Sequence, residues 1–357
     1  MADLKNIAGT LLIDATAAFL NGAGLGSGED KNKVIPKTFK ERINGRAEEV
    51  PYVSAQSWRR WLRNTTNEEN AWIPSELRQI GTSEGKKSTN KISTELDPVS
   101  FPEDDLFGYM SAGGKKEEGK GDDDTEKKDM KTESIQRTSP FKSSILRGIR
   151  GMRQMNNDEA FVHLKDGSPL PYSTQFYSTH LEGFFNLEYS RLGVYDNTGS
   201  RQELSSEFVE KYKSQLEETT LPSGKNFRRY TLKTAVASRK ANAAGLLKGL
   251  AFLRGGAKQA AFGSDVSPKV LIIAGLSTAN PVFNNLFDGS KDKPSLDIKA
   301  LLEIIKDYSE RLATPVYIGI RAGYLKNEED IRALASANII VDTPIGVVQQ
   351  FTQTYLS

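Results

Sequence analysis

The first strong pattern in the chain is an almost continuous apolar run over residues 7–20, interrupted by Asp14. Such a run fits a buried central strand or a short helix, and periodicity does not separate the two. We favour a strand because the glycine-rich segment 21–28 ends the run sharply. Those glycines do not form a dinucleotide-binding fingerprint, since Ser27 stands where the third glycine is required. A connector is therefore favoured over a phosphate cradle.

The second pattern is amphipathic and follows Pro51 and Tyr52. A helix is predicted to begin at Ala55, with Ser54 as its N-cap. At about 100° per residue, one side of this helix collects the polar residues Gln56, Arg59, Arg60 and Arg63, and the other side collects Trp58, Trp61 and Leu62. Guanidinium groups suit bidentate capture of phosphate, and a helix N-terminus adds N–H donors. The alternative is a solvated face on an ordinary amphipathic helix.

The remaining elements are predicted from aromatic and β-branched enrichment, helical spacing and turn residues. They are strands or a hairpin at 160–164 and 170–195 with an Asp166–Gly167 turn between them, a helix at 203–217, a glycine-rich loop at 255–263 leading into a strand at 269–275, and then helix 296–312, strand 316–320, helix 328–335 and strand 339–342. The loop at 255–263 is not a Walker A loop, because the strand follows it and no Gly-Lys-Ser/Thr is present.

Two acidic features need separate interpretation. The adjacent carboxylates Asp104 and Asp105 could suggest a metal site, but no acid or histidine follows them at helical spacing. A helix N-terminus, which favours acids, is the better explanation. The low-complexity segment 113–133 holds glycine and runs of lysine and acid without aromatics, and it is predicted to be a disordered insertion.

Composition narrows the function classes. The 357 residues allow one to three domains, and the absence of cysteine excludes disulfides and cysteine-based zinc sites. Only His163 and His180 are present, too few for a histidine-rich metal site. No cofactor is expected. No apolar run is long enough to span a bilayer and no signal peptide is recognisable, which predicts a soluble cytoplasmic protein without a membrane partner.

The charges are unevenly distributed although the net charge is only +2. Residues 134–157 contain five basic residues and no acid, and residues 222–264 contain nine basic residues and no acid. With the basic segment that precedes the predicted helix, this gives three acid-poor stretches with aromatics between them. Such segregation is typical of a nucleic-acid groove.

Four motifs now appear in a recognisable order. They are Ile-Pro-Lys-Thr at 35–38, Tyr-Val-Ser-Ala-Gln-Ser-Trp-Arg-Arg-Trp-Leu-Arg at 52–63, Asp-Leu-Phe-Gly-Tyr-Met at 105–110, and Gly-Ala-Lys-Gln-Ala-Ala-Phe at 256–262. In this order the chain resembles the CRISPR-associated backbone subunit of type I Cascade complexes, the seventh Cas family. Within it the chain looks most like the DevR-type subgroup of type I-B systems. The resemblance covers about residues 1–275.

The resemblance implies an α+β fold with an RRM-like (ferredoxin-like) palm. The palm would comprise residues 1–110 and 221–357 with a finger-like loop near 22–50, followed by a disordered insertion at 111–134, a thumb-like insertion at 135–200 and a helical connector at 201–220. The aromatic stacking motif of a conventional RRM is not recognisable, which fits a palm that holds the RNA backbone rather than its bases.

The resemblance also implies a function. Copies of the subunit would line up along one guide RNA (crRNA) and present it for pairing with target DNA. Partners would be other copies of the chain and Cascade subunits of the fifth, sixth and eighth Cas families, with a helicase–nuclease or transposition proteins as further candidates. The predicted RNA-binding residues are Lys37, Ser54, Gln56, Arg59, Arg63, Lys258 and Gln259 by motif match, Arg60 by adjacency, and Arg137 from the acid-free stretch.

Two alternatives remain at this point. Related backbone subunits of type III complexes cut RNA with a thumb aspartate, and Asp158 or Asp166 lies in the corresponding region, although neither sits in a matching motif. The chain could also be a solitary basic RNA-binding module. A metabolite enzyme is disfavoured because no nucleophile–base arrangement is recognisable. We therefore expect no enzymatic activity.

Overall fold

A computed structural model of the chain describes residues 2–26, 32–43, 45–84, 87–111, 134–199, 201–224, 226–289 and 293–357. Except for its two end residues, the predicted disordered insertion at 111–134 lies outside the described residues. Residues 27–31 and 44 of the predicted finger-like loop also lie outside them.

The described chain contains both strands and helices, so the coarse α+β prediction is confirmed. They are β1 (Asn6–Ala18), β2 (Gly22–Leu25), β3 (Lys33–Pro36), β4 (Thr38–Ile43), β5 (Arg46–Val53), α1 (Ala55–Asn70), β6 (Arg78–Glu84), β7 (Lys87–Ser93), α2 (Pro102–Phe107), β8 (Tyr109–Ser111), β9 (Ile135–Arg137), β10 (Phe141–Ser143), β11 (Leu146–Val162), β12 (Leu170–Leu187), β13 (Val194–Thr198), β14 (Arg201–Gln202), α3 (Ser206–Lys211), β15 (Leu216–Thr220), β16 (Arg228–Leu232), α4 (Ala235–Ala251), α5 (Gln259–Phe262), β17 (Val270–Leu276), β18 (Phe287–Asp288), β19 (Ser295–Leu296), α6 (Ile298–Asp307), β20 (Val316–Ile320), α7 (Glu328–Arg332), β21 (Ile339–Asp342) and α8 (Pro344–Tyr355).

The chain divides into two compact units. Unit 1 comprises residues 1–70, 142–188 and 243–357, and unit 2 comprises residues 71–141 and 189–242. This division differs from the predicted one: residues 71–110 and 221–242, assigned above to the palm, belong to unit 2, and most of the predicted thumb belongs to unit 1. The RRM-like description of the palm stays a prediction.

Unit 1 is built on a large sheet with the strand order β21-β20-β17-β1-β12-β11-β5-β4. β1 pairs antiparallel with both β12 and β17 and is therefore internal. Its first eight residues, Asn6 to Ile13, are all buried, and so is every residue of β17. An internal strand covered on both faces has no polar alternation, which explains the continuous apolar run that made β1 ambiguous in the sequence.

The core of unit 1 joins this sheet to α6 and to the segment around Phe283. Leu12, Ile272, Ile318 and Leu301 belong to it and are fully buried. α8 packs near the edge of the same sheet, where the rings of Tyr317 and Phe351 meet edge to face with their centroids 5.4 Å apart. The predicted strands at 316–320 and 339–342 coincide with β20 and β21.

β11 and β12 form the predicted hairpin. They pair antiparallel from Arg147 opposite Glu182 to Val162 opposite Leu170, with a bulge between Gly148 and Arg153. The half of β12 near Leu187 is buried beside β1, whereas the hairpin's other end is exposed. The connecting turn contains Gly167 at a φ of 128°, which favours glycine. The hairpin is thus anchored in the sheet at one end and free of the core at the other.

Unit 2 holds a smaller sheet with the strand order β15-β16-β13-β14-β9-β8. Its apolar cluster gathers Tyr195, Leu204, Tyr212 and Leu216. The helix predicted at 203–217 is only partly correct, because α3 covers Ser206–Lys211 and Leu216–Thr220 is a strand paired with β16. The helical connector predicted at 201–220 is corrected accordingly.

Nothing in the described part of the chain is both helical and apolar over the length that a bilayer crossing by a helix requires.

Candidate nucleic-acid interface

The N-terminus of α1 is formed as the sequence predicts. The Ser54 hydroxyl accepts the Ser57 N–H at 3.3 Å and lies 2.9 Å from the Ser57 hydroxyl, which makes Ser54 the N-cap. The helix continues to Asn70, beyond the predicted motif. The side chain of Ser54 is thus used in capping the helix. A ligand at this end of α1 would be contacted by N–H groups of the first turn instead.

The two faces of α1 differ in burial as predicted. Trp58 and Leu62 are fully buried, and the Trp58 indole donates a 2.7 Å hydrogen bond to the Ser144 carbonyl. Gln56 and Arg60 are exposed. The buried indole therefore fixes the rotation of the helix and turns the basic face outward.

Arg59 and Arg63, one turn apart, are half-buried. Burial lowers the pKa of Arg59, and the positive charge of Arg63 lowers it further. Arg59 nevertheless stays protonated at neutral pH, because the pKa of a guanidinium starts far above 7. Two guanidinium groups held together with part of their hydration removed favour an anion beside them.

Leu20 and Asn21, just after β1, connect the predicted motifs. The Leu20 carbonyl accepts the Ala257 N–H at 3.0 Å. The Asn21 carbonyl accepts the Lys37 N–H at 2.8 Å, and its side-chain oxygen accepts the Ser54 N–H at 2.9 Å. Three motifs that are far apart in the chain thus meet at one point of unit 1. The sequence analysis missed the role of Asn21; its only signal was that it ends the apolar run.

The glycine-rich loop packs directly on α1. At Gly255, with a φ of 155°, a Cβ atom would come within 2.2 Å of the Trp61 ring. Gly256 has a φ of 108°, and the side chain of Gln259 reaches back to donate to the Gly255 carbonyl. Gln259 therefore braces the loop in addition to any ligand contact. Trp61, predicted on the apolar face, is half-buried and forms the wall against which this loop rests.

Arg254 fixes the start of the same loop. Its guanidinium binds Glu69 at 2.6 Å and Glu68 at 2.8 Å, and its N–H donates to the Thr65 hydroxyl at 3.1 Å. Since all three partners belong to the C-terminal half of α1, Arg254 locks the loop to the helix. It is one of the nine basic residues of the acid-free stretch 222–264, but the two acids neutralise it.

The structure corrects the prediction that Arg137 binds RNA. It is 1% exposed and belongs to unit 2, whereas the other predicted RNA-binding residues belong to unit 1. It pairs with Asp105 at 2.6 Å and Glu203 at 2.8 Å, and its remaining donors reach backbone carbonyls. Burial acts against its charge, but Asp105 and Glu203 raise the pKa of Arg137 above its usual value. A guanidinium whose donors are all engaged in the interior has none to offer a phosphate, so we remove Arg137 from the RNA-binding set.

The same correction applies to much of the acid-poor sequence. Within each unit, many basic residues pair with acids that lie outside their own acid-poor stretch: Lys142 with Glu188, Arg147 with Glu182, Arg153 with Glu41 and Glu48, Arg228 with Glu218, and Arg229 with Asp196. Charge segregation along the sequence therefore overstates the positive surface. What supports an interface is the convergence of particular residues in unit 1.

Asp104 and Asp105 lie in the first turn of α2, as predicted, and are buried. Asp105 pairs with Arg137 and accepts hydrogen bonds from the Gly193 N–H at 3.1 Å and from the Asn242 side-chain amide at 3.2 Å. Its role is therefore structural. Asp158 and Asp166, the candidate nuclease residues, are both exposed on the β11–β12 hairpin. Among the described residues, no group of three histidine or acidic side chains is placed to hold a metal ion.

We expect Gly255→Ala to weaken RNA binding by about tenfold or more. The added methyl group overlaps the Trp61 ring and demands an unfavourable φ, so the loop must move away from α1. Gly263→Ala is the matched control, because its φ is 56° and a Cβ atom there meets nothing within 4 Å. Filter binding of both variants to single-stranded RNA measures the difference. Equal affinities would mean that the position of the loop does not matter for binding.

Solved structures provide the comparison. No family model and no curated protein matches the sequence. Two solved chains, described as "CRISPR RNA-guided surveillance complex" and "CRISPR RNA-guided surveillance complex, pre-nicking", are similar to this chain with a TM-score of 0.52 and 12% identity, over 98% of this chain and 99% of theirs. At this identity the likeness is one of fold. The chain therefore shares, over almost its whole length, the fold of a chain found in a CRISPR RNA-guided surveillance complex.

Proposed function

We propose that the chain is a guide-RNA-binding backbone subunit of a type I-B Cascade complex, of the DevR-type subgroup. The observation that carries the proposal is the convergence at Leu20 and Asn21, which brings Lys37, the N-terminus of α1 and the glycine-rich loop together in one unit. These are the segments whose sequence resembles the family. The likeness in fold to surveillance-complex chains supports it independently.

The chemistry of these groups suits the RNA backbone rather than particular bases. Lys37, Arg59, Arg60, Arg63 and Lys258 supply positive charge, and Gln56, Gln259 and the first-turn N–H groups of α1 supply hydrogen bonds. Such groups bind phosphate and 2′-hydroxyl oxygens and carry little sequence information. A guide whose spacer varies needs this kind of support.

The hairpin of β11 and β12 is the proposed contact between successive copies. Its outer end exposes large apolar side chains, namely Phe161 (65% exposed), Leu170 (56%), Val162 (46%), Leu164 (43%) and Tyr172 (43%). A monomer seldom leaves so many together in water without a partner. In the proposed assembly this end lies against the next copy along the guide RNA.

The wider partners follow from the same proposal. The guide would pair with target DNA in the cytoplasm, and subunits of the fifth, sixth and eighth Cas families would complete the complex. A helicase–nuclease or transposition proteins would act on the bound target.

We further propose that the chain is not an enzyme, and we expect no Mg²⁺- or Mn²⁺-dependent cleavage of guide-paired RNA or DNA by the purified assembly. Asp158 and Asp166 are exposed on a hairpin, without neighbouring acids placed to hold a metal in the described residues. Gel analysis of labelled strands checks this. Cleavage that disappears in Asp158→Ala or Asp166→Ala would contradict the proposal and favour the type III-like nuclease.

Co-purification tests the proposed function. Purified from cells that carry a CRISPR array, the chain should retain RNA, seen as a 260/280 nm absorbance ratio well above that of protein and lost on ribonuclease treatment. Sequencing should return array-derived guides. RNA-free protein from such cells, with no affinity for added guide RNA, would refute the proposal.

A further inference from the structure

Three phenylalanines meet beside the glycine-rich loop. The ring of Phe262, the last residue of α5, lies 6.4 Å from that of Phe19 at an interplanar angle of 21°, and 5.6 Å from that of Phe176 at 42°. The three rings come from the residue that follows β1, from β12 and from the loop, all in unit 1. Phe19 is 2% exposed and belongs to the interior, whereas Phe176 and Phe262 are half-buried. The cluster therefore has an inner ring and two rings that reach the surface.

A lysine lies at the rim of this cluster. The ammonium of Lys258 lies 5.3 Å from the centroid of the Phe19 ring and donates a 2.7 Å hydrogen bond to the Thr174 hydroxyl. Lys258 has a left-handed backbone, with a φ of 50°, and an exposed side chain. The Phe262 N–H bonds to the Lys258 carbonyl at 3.1 Å, so one turn of helix separates the cation from the aromatic ring.

The surroundings leave the ring accessible. Ala260 and Ala261, between Lys258 and Phe262, are exposed and carry nothing beyond Cβ, and Gly263 follows without a side chain. A half-buried ring flanked by small residues, with a cation one helical turn away, suits a flat ligand that carries a negative charge. An unpaired nucleotide has this form, because its base stacks on aromatic rings and its phosphate pairs with lysine.

We propose that Phe262, backed by Phe19 and Phe176, stacks one unpaired base of the bound RNA while Lys258 contacts an adjacent phosphate. This rests on the proposed function and adds a base contact to an otherwise backbone-directed site. Every base has a π-face, so the contact is compatible with a guide of any sequence.

The test combines a variant protein with a variant RNA. Wild type, Phe262→Ala, Phe262→Leu and Phe262→Trp are measured by fluorescence anisotropy on a short uridine-rich RNA and on copies that carry one abasic residue at successive positions. For wild type, we expect one abasic position to weaken binding roughly 5- to 150-fold, the range that base–aromatic stacking gives. Phe262→Ala and Phe262→Leu should bind the intact RNA with a similarly reduced affinity and show no abasic penalty, and Phe262→Trp should restore both.

Phe262→Leu keeps an apolar side chain in the cluster, so it separates stacking from packing if Phe262→Ala is poorly folded by circular dichroism. The added tryptophan fluorescence of Phe262→Trp should be quenched by intact RNA and not by the sensitive abasic copy. Two results would overturn the stacking proposal and leave the proposed function standing. One is that Phe262→Leu binds intact RNA with the affinity of wild type. The other is that an abasic residue weakens binding equally in wild type and in Phe262→Leu. Failure of wild type to bind any of these RNAs refutes the proposed function instead.

Discussion

Reversing the charge of both arginines in Arg59→Glu/Arg63→Glu should abolish guide-RNA binding, with an affinity at least about a hundredfold lower, while the protein stays folded. Two favourable charge interactions become repulsive, and the slope of log affinity against log salt should become shallower by roughly 0.7 for each phosphate that the protein no longer neutralises. The fold should survive because α1 is anchored by the buried Trp58 and Leu62 on its other face. Affinity measured over a series of salt concentrations gives both quantities.

Lys299→Glu/Lys306→Glu is the matched control. It makes the same change in net charge on α6, where both lysines are exposed, in the same unit. We expect this control to weaken binding only slightly, through long-range charge that added salt screens. If the arginine variant is folded by circular dichroism and binds RNA with unchanged affinity and salt slope, α1 is not the contact surface.

The largest effect on stability should come from Arg137→Met, which we expect to destabilise unit 2 by about 3–5 kcal/mol. The substitution leaves Asp105 and Glu203 as uncompensated carboxylates in the interior, where Asp105 is 1% exposed and Glu203 is 4% exposed. It also removes the donors to the Asp105 and Arg191 carbonyls, which belong to the same network. Urea unfolding followed by circular dichroism should show the transition of unit 2 at a much lower denaturant concentration.

Arg201→Met is the control, because it removes an exposed partner of Glu203 instead of the buried one. Arg201 binds Glu203 at 3.3 Å with 43% of its side chain exposed, so its removal should cost less than about 1 kcal/mol. A similar loss of stability in both variants, or none in Arg137→Met, would show that burial of the network does not control the stability of unit 2. A direct RNA contact of Arg137 would instead appear as weaker binding by a fully stable variant.

Elements with a strong local pattern could be predicted from the sequence. The N-cap at Ser54 and the two faces of α1 follow from a helical period over one short segment, and β20 and β21 follow from short apolar runs between turns. The β11–β12 hairpin follows from the Asp166–Gly167 turn. Each of these depends on residues that are neighbours in the chain. The pairing of those elements with distant segments has no such local pattern and could not be predicted.

Long-range contacts explain what the sequence analysis missed. In the acid-free stretch 134–157, Arg137, Lys142, Arg147 and Arg153 pair with acids from other segments. The acids that pair with Arg153, for example, lie on β4 and β5. Leu216 lies at helical spacing from Tyr212, but the segment Leu216–Thr220 pairs as a strand with β16. Tertiary pairing here overrides the local preference. The role of Asn21 arises from its hydrogen bonds to Lys37 and Ser54, which lie in other segments. None of these partners can be read from composition or periodicity.

The central claim is that many copies of the chain bind along one RNA, and light scattering on a ladder of RNA lengths tests it most directly. Without RNA the protein should be largely monomeric. As the RNA lengthens, the mass of the complex should rise in steps of one protein copy, with positive cooperativity, independently of sequence and with a steep salt dependence. A fixed one-to-one stoichiometry at every length would contradict this account and identify the chain as a solitary RNA-binding module.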